Sequence, residues 1–444
     1  MYRLKIFFII LIAIIINSCS SSNINVKNIK KDKSSNDFLA YYNTFYTAEQ
    51  SFNKAIDLID SQYEDVNSKI PAEALNLLEI SIKNSLIILE DFYNSSYVDD
   101  ACFILARSSL YKNKLTVSNY YLNKIINDFP NSQYVYSCYI WSGFIYLRLG
   151  DFEALDSILE FLELNIKELD NSLSLYYELL AEKSLIDSKD SDLQDLRDIS
   201  LHNAKNYFLL AVDNVDNSLK KKRLYFKLLE ISENQKMYDE SLIYIKKISD
   251  NSDAGLSAEL LDKWFDYNRI TMNYETIYIE IDNLIQNNQL TTKQRIFYLI
   301  QKIRTFVAEE ENIVAIELID EIIKEIKDNK SFKMELSELY FLKGDIYLKY
   351  NSEYDLAREY FEKCINSTTS QVNEYKLKAE LLLDALIKYT SIEQEYLYLK
   401  DNAEDYITEQ DVIDENDPFF IPLPDDYNKS EDISDSLLYS LGQI

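Results

Sequence analysis

Apart from its carboxylates, this sequence offers few side chains for metal or nucleophilic chemistry: one histidine, His202, and four cysteines, Cys19, Cys102, Cys138 and Cys364. A zinc site needs paired Cys or His at short spacing, and an activated thiol needs a base held beside it. No such pair occurs, and His202 stands in a helical stretch without a cysteine or serine motif near it. The 75 Asp and Glu side chains are dense enough to form chance pairs, and nothing selects two for acid–base work. Five glycines, Gly143, Gly150, Gly255, Gly344 and Gly442, are too scattered for a phosphate-cradling loop, and no calcium-loop pattern appears. Catalysis, metal and cofactor are therefore not expected.

Cys19 has a different chemistry available. Arg3 and Lys5 precede an apolar run, Ile6 to Ile16, too short to span a bilayer, and polar Asn17 and Ser18 lead into the cysteine. The segment Ile16-Asn17-Ser18-Cys19 resembles a bacterial lipobox, although Ile16 and Asn17 depart from its commonest form. The resemblance implies a leader over 1–18, acylation of Cys19, and anchorage by several acyl chains. Residues 19–37, rich in Ser and Asn, would then be a flexible tether. Its lysines, Lys27, Lys30, Lys31 and Lys33, either lie against anionic headgroups or simply keep it soluble. Ser20 after the cysteine, by resemblance to envelope sorting, implies the outer membrane, facing the periplasm or the cell surface.

The formal charge of −29 repels nucleic acid, so no nucleic-acid partner is expected. With five Gly and five Pro in 444 residues, turns must be few and helices long. Cys102, Cys138 and Cys364 each fall at a small-residue position of a helical apolar pattern. That suits buried free thiols, with a Cys102–Cys138 bridge as the alternative.

An internal echo sets Phe92-Tyr93-Asn94-Ser95-Ser96-Tyr97 against Phe129-Pro130-Asn131-Ser132-Gln133-Tyr134, each between two amphipathic stretches. A second pattern places Ala, Phe and a small residue at spacings of four and three: Ala48/Phe52/Ala55, Ala204/Phe208/Ala211 and Ala357/Phe361/Cys364. Those spacings put the three residues on one helical face, where small side chains let a neighbour approach and the ring fills the groove beside it.

Here the chain resembles the tetratricopeptide (TPR) family. Gly143 with Tyr146, and Gly344 with Tyr347, match the first helix of that repeat; Gly150-Asp151-Phe152 matches its inner turn, and Pro130 its closing position. The resemblance implies an all-α, TPR-like α-solenoid over 38–398, a right-handed superhelix. Second helices near Ala48, Ser81, Ser118, Leu155, Ala204, Ser241, Ile277, Ala315 and Ala357 give about eight or nine helix pairs. The pattern breaks at 187–197 and 250–290, and either place would serve as a joint. The Asn-Ser-x-Tyr junctions and the leader further resemble periplasmic TPR lipoproteins of the BamD-like kind, whose role is to dock partner proteins at the outer membrane.

In that family the inner face, lined by first helices, takes a peptide or a partner's helix. Tyr111, Tyr139, Trp141, Tyr146, Tyr177, Tyr225, Tyr340 and Tyr347 fall on first helices as candidates, shared between groove and core. The alternative function is glycan or peptidoglycan binding by a surface lipoprotein, with aromatic side chains as stacking platforms. Lytic transglycosylases also carry a helical superhelix, but their catalytic domain needs far more chain than follows Thr390. Residues 399–444 form an acidic tail expected to be disordered: from 401 onward it holds thirteen Asp or Glu against Lys429. Within it, Pro418-Phe419-Phe420-Ile421-Pro422-Leu423-Pro424 is an apolar island expected to touch either the solenoid's last helix or a partner protein.

Overall fold

A computed structural model describes residues 33–63, 69–191, 193–252, 255–286, 290–350, 352–368 and 373–409. The leader, Cys19, nearly all of the tether, and Phe419, Phe420 and Ile421 lie outside these residues. Apart from four short 3₁₀ or π turns, every regular element among them is an α-helix, which makes the described chain an all-α solenoid of helix pairs.

The chain divides into two compact units, ending at Ser257 and beginning at Ala258. The first unit opens with α1 (Lys33–Ala40), followed by a π turn (Tyr41–Phe45). Its paired helices are α2 (Tyr46–Ser61) with α3 (Ala72–Asp91), α4 (Val98–Tyr111) with α5 (Leu115–Asp128), and α6 (Val135–Leu149) with α7 (Phe152–Leu164). Then come α8 (Leu173–Asp190) with α9 (Gln194–Asp213), and α10 (Ser218–Asn234) with α11 (Tyr238–Asp250). In the second unit α12 (Ala258–Ile270) pairs with α13 (Tyr274–Gln286), α14 (Thr292–Ala308) with α15 (Asn312–Ile326), and α16 (Lys333–Lys349) with α17 (Tyr354–Ser367). The long α18 (Glu374–Glu409) follows.

Two expectations are corrected by these boundaries. Ala48 and Ser81 stand on successive helices, α2 and α3, which pack on each other. They therefore belong to one pair instead of being second helices of two, and the described residues hold eight pairs. The apolar spacing fades after Tyr398, yet α18 runs on to Glu409. No Gly or Pro interrupts that stretch, and its helix-forming residues sustain it.

Within pairs, the chain reverses through a left-handed residue. Asn113 (φ 56°), Gly150 (71°), Lys236 (57°), Met272 (58°), Glu310 (64°) and Ser352 (53°) occupy equivalent turns. In five of them the next amide donates to a carbonyl five residues back: Lys114 to Ser109, Asp151 to Tyr146, Met237 to Ser232, Asn273 to Asn268 and Glu311 to Phe306. This closes the helix end as a Schellman motif does. Five of the six residues are not glycine, so they hold a conformation that costs an L-residue about 1–2 kcal/mol. Met272→Gly and Glu310→Gly are each expected to stabilise the chain by about 0.5–1 kcal/mol, net of the extra chain entropy of glycine. Urea unfolding reads this directly; a loss of stability at both sites would contradict the turn assignment.

Small residues set the helix spacing. A Cβ on Gly143 would come within 2.6 Å of Leu179, so α6 and α8 approach through that gap. Ala204, Phe208 and Ala211 on α9 are fully buried, as are Ala357, Phe361 and Cys364 on α17; Ala48, Phe52 and Ala55 are buried on α2. Serines do the same job: Ser85, Ser118 and Ser142 are buried, and their hydroxyls find no hydrogen-bond partner among the described residues. Size, not polarity, is what these sites use. Ser118→Ala is accordingly expected to be neutral or to stabilise by up to about 1 kcal/mol; a clear destabilisation in urea would show that its hydroxyl is bonded.

The two echoed junctions make the same turn. Ser95 N donates to Phe92 O at 2.8 Å and Ser132 N to Phe129 O at 2.9 Å. Each serine hydroxyl then accepts from the tyrosine amide two residues on, both at 3.3 Å. The tyrosines stack backwards, Tyr97 on Phe45 with centroids 4.6 Å apart and Tyr134 on Phe103 at 4.3 Å. Tyr134 also donates to Asp100 at 2.7 Å, tying consecutive first helices together. Pro130 lies exposed in its junction.

Candidate functional site

In the first unit the first helices of all five pairs face one cavity of about 390 Å³. Ile59 lies at the end of α2, with Tyr63 just beyond it; Tyr111 ends α4; Trp141, Phe144 and Arg148 come from α6, Glu178 and Glu182 from α8, and Arg223 and Lys227 from α10. This size falls within the usual range of small-ligand or side-chain pockets.

A charged network crosses its floor. Arg223 donates from Nη2 to both carboxylate oxygens of Glu178, at 2.8 and 3.0 Å, and from Nη1 to Asp60 at 3.1 Å. All three side chains are buried to within 15% exposure. Lys227 pairs with Glu182 at 2.8 Å, and the Arg107 guanidinium lies 3.7 Å from the Trp141 ring centroid. Lys222 donates to Ser61 O at 3.0 Å, and Tyr63 meets Phe226 edge-on at 5.8 Å. The last residues of α2 are thus held against α10, four first helices further along the chain.

Burial would push both carboxyls up. At Glu178, Arg223 with Lys220 and Lys227 behind it outweighs burial and holds the carboxyl below its ordinary range. At Asp60 burial wins over the single Arg223 contact, Glu178 adds repulsion, and the carboxyl is raised. The same burial raises the Tyr63 hydroxyl to about 12. Tyr63 Oη and Trp141 Nε1 are buried without hydrogen-bond partners among the described residues.

The second unit has a smaller cavity of about 270 Å³, also on first helices: Asp262 from α12, Phe297, Gln301 and Arg304 from α14, Met334 and Glu338 from α16, and Tyr375 from α18. Arg304 pairs with Glu338 at 2.5 Å and donates to the Tyr375 hydroxyl. Gln301 donates to Asp262 at 3.1 Å and accepts from Arg269, also at 3.1 Å. Burial raises the Glu338 carboxyl despite Arg304.

The aromatic candidates divide between these cavities and the core. Tyr111 and Trp141 line the first cavity. Tyr139 packs on Phe161 at 4.4 Å between α6 and α7, and Tyr146 and Tyr177 join the same apolar cluster. Tyr225 stacks on Tyr244, Tyr340 on Tyr360 and Tyr347 on Tyr360, all within helix pairs. His202 is exposed on α9.

Arg107, and Arg223, Arg269 and Arg304 with their carboxylate partners, were not singled out by sequence reasoning. One signal was available: the chain has nine arginines against 37 lysines, and arginine is the cation suited to buried, two-pronged pairing. Five of the nine, Arg107, Arg148, Arg223, Arg269 and Arg304, sit on first helices beside the two cavities.

Cys102, Cys138 and Cys364 are free and buried. Burial raises all three thiols, Cys102 to about 12. A maleimide at neutral pH is expected to leave them unlabelled in the folded chain and to label all three in denaturant; fast labelling of the native protein would contradict their placement. Among the described residues no group of three or more His, Cys, Asp or Glu is placed to hold a metal, and no helix is long and apolar enough to cross a membrane.

Comparison with known proteins places the tetratricopeptide repeat at residues 337–369. No curated protein matches the chain. Among solved structures, a human IFIT1 dimer with PPP-AAAA is 13% identical, covering 76% of this chain and 68% of that one, with a TM-score of 0.34. The P58(IPK) TPR domain is 12% identical, covering 77% and 99%, with a TM-score of 0.19. The matched residues contain Gly344, Tyr347, Ala357, Phe361 and Cys364, the first-helix and second-helix signatures of α16 and α17: this chain carries a tetratricopeptide repeat in its second unit.

Proposed function

We propose that this chain is a membrane-tethered scaffold of the bacterial cell envelope, an outer-membrane lipoprotein anchored through Cys19, which captures a segment of another protein in the groove of its first helices. The tetratricopeptide repeat at 337–369 supports the scaffold. The cavity of the first unit carries the reading: Tyr63, Tyr111, Trp141 and Phe144 wall it. Aromatic walls give a bound peptide contact area at low entropic cost. The envelope assignment rests on the leader-like start and on Cys19.

The test is affinity purification of the full-length protein from crosslinked cells, with mass spectrometry of its N-terminal peptide and of co-purified proteins. An acylated Cys19 together with a recurrent envelope protein is expected. An unmodified Cys19 would remove the anchor, and recovery of the chain without any protein would remove the scaffold.

A further inference from the structure

Starting from the scaffold reading, on which this rests, we infer that the first unit's cavity selects an acidic segment: an extended stretch that seats an apolar side chain beside Trp141 and Phe144 and, two residues away, a side-chain carboxylate on Arg148. Trp141, Phe144 and Arg148 line the cavity from α6, and at spacings of three and four they share one helical face. Phe144 and Arg148 lie about 6 Å apart along the helix axis. Residues i and i+2 of an extended chain point the same way and lie about 6.6 Å apart. An apolar side chain and a carboxylate in that relation therefore reach both. Ile59, Ile70 and Ile186 complete the apolar walls.

Charge selects the acid. The carboxylates of the cavity are engaged: Glu178 holds Arg223, with Asp60 on its other side, and Glu182 holds Lys227. Arg148 lines the cavity and makes no ion pair or hydrogen bond among the described residues. The carboxylate nearest to it in sequence, Asp151, caps α7 and accepts from Ala154 N at 3.2 Å. Next to the cavity, Arg107 rests on the Trp141 ring. Arg107 and Lys220 have no carboxylate partner among the described residues, and both lie within electrostatic reach of Asp60 and Glu178. These five cations stand against three carboxylates, and Glu230 and Lys189, beyond Lys227, offset each other. The excess is positive in a chain whose formal charge is −29, so this groove attracts an anionic segment that the chain as a whole repels.

The experiment places photo-crosslinking benzoylphenylalanine at Phe144 in the full-length protein in living cells and maps the crosslinked segment by mass spectrometry. That segment is expected to hold an acidic residue two positions from an apolar one. Arg148→Gln is expected to lower the adduct yield about tenfold, as loss of a charge-assisted hydrogen bond implies. Arg148→Lys should lower it no more than about threefold, since lysine keeps the charge and loses only the planar fork. Exchanging the partner's acidic residue for its amide should give the loss seen with Arg148→Gln, and the two exchanges together no further loss. A segment without such a residue, including one held by its C-terminal carboxylate, would overturn the inference and leave the scaffold standing. So would a yield indifferent to Arg148→Gln, or losses from the two exchanges that multiply. No adduct from the parent would remove the scaffold reading itself, and the inference with it.

Discussion

Arg223→Met is expected to destabilise the first unit by about 3–5 kcal/mol, because it leaves Asp60 and Glu178 buried without their counter-ion. Arg223 has 15% side-chain exposure, Asp60 9% and Glu178 11%, so water cannot take its place. The loss should appear locally as faster hydrogen exchange in α2 and α10, the helices that Arg223 joins. Replacing the whole triad, Asp60→Leu with Glu178→Met and Arg223→Met, should recover most of the stability, since a buried ion pair gains little over apolar residues of similar volume. A single variant as stable as the parent would show that the network is solvated.

The two carboxylates of that triad predict opposite pH dependences. Glu178 is held below its ordinary value of 4.5 in the folded chain. Its contribution is present above about pH 4.5 and is lost as pH falls through the depressed folded value. Asp60 is raised above its ordinary 3.8, so its charge costs stability at neutral pH, and that cost is relieved as pH falls through the raised value toward 3.8. Glu178→Gln should therefore cost more at pH 7 than Asp60→Asn, and should flatten the acid limb of the stability profile. The reverse order would mean that Asp60 is the principal partner of Arg223.

The second large effect lies in the matched repeat. Phe361→Ala is expected to cost about 3–5 kcal/mol, since the ring is fully buried between α16, α17 and α18. Gly344 is the other half of the same contact: a Cβ there would meet two Phe361 ring carbons at 2.8 Å and Ala357 O at 3.3 Å. Gly344→Ala alone should cost about 1–3 kcal/mol through overpacking. In the double variant the new methyl enters the space the ring has left, so the combined loss should fall below the sum of the two. Additive losses in urea would mean that the two residues do not share this contact.

Gly344 and Phe361 were legible in the sequence because each obeys a spacing rule that helix packing enforces: small residue, then large, on one face. The echo at Ser95 and Ser132 was legible for the same reason, since a turn that recurs in space must recur in sequence. Other features were not legible. The left-handed turns at Lys236, Met272 and Glu310 carry ordinary side chains; a residue can be held there by closing hydrogen bonds without glycine, so only Gly150 stood out. The Arg223 triad joins residues up to 163 positions apart, brought together by the packing of α2 against α10, and no local pattern marks such a pair in a chain this rich in charge. Tyr139 and Trp141, two residues apart on α6, point respectively to the core and to the cavity. Helical phase alone could not separate them, because first helices are apolar over more than one face.

The central claim, that the first-helix face of the first unit binds a protein segment, is tested most directly by photo-crosslinking in living cells from Phe144 inside the cavity and from Ile243, 57% exposed on second helix α11. The account predicts a discrete protein adduct from position 144 and none from position 243. Adducts from 243 alone, or from neither position, would contradict it.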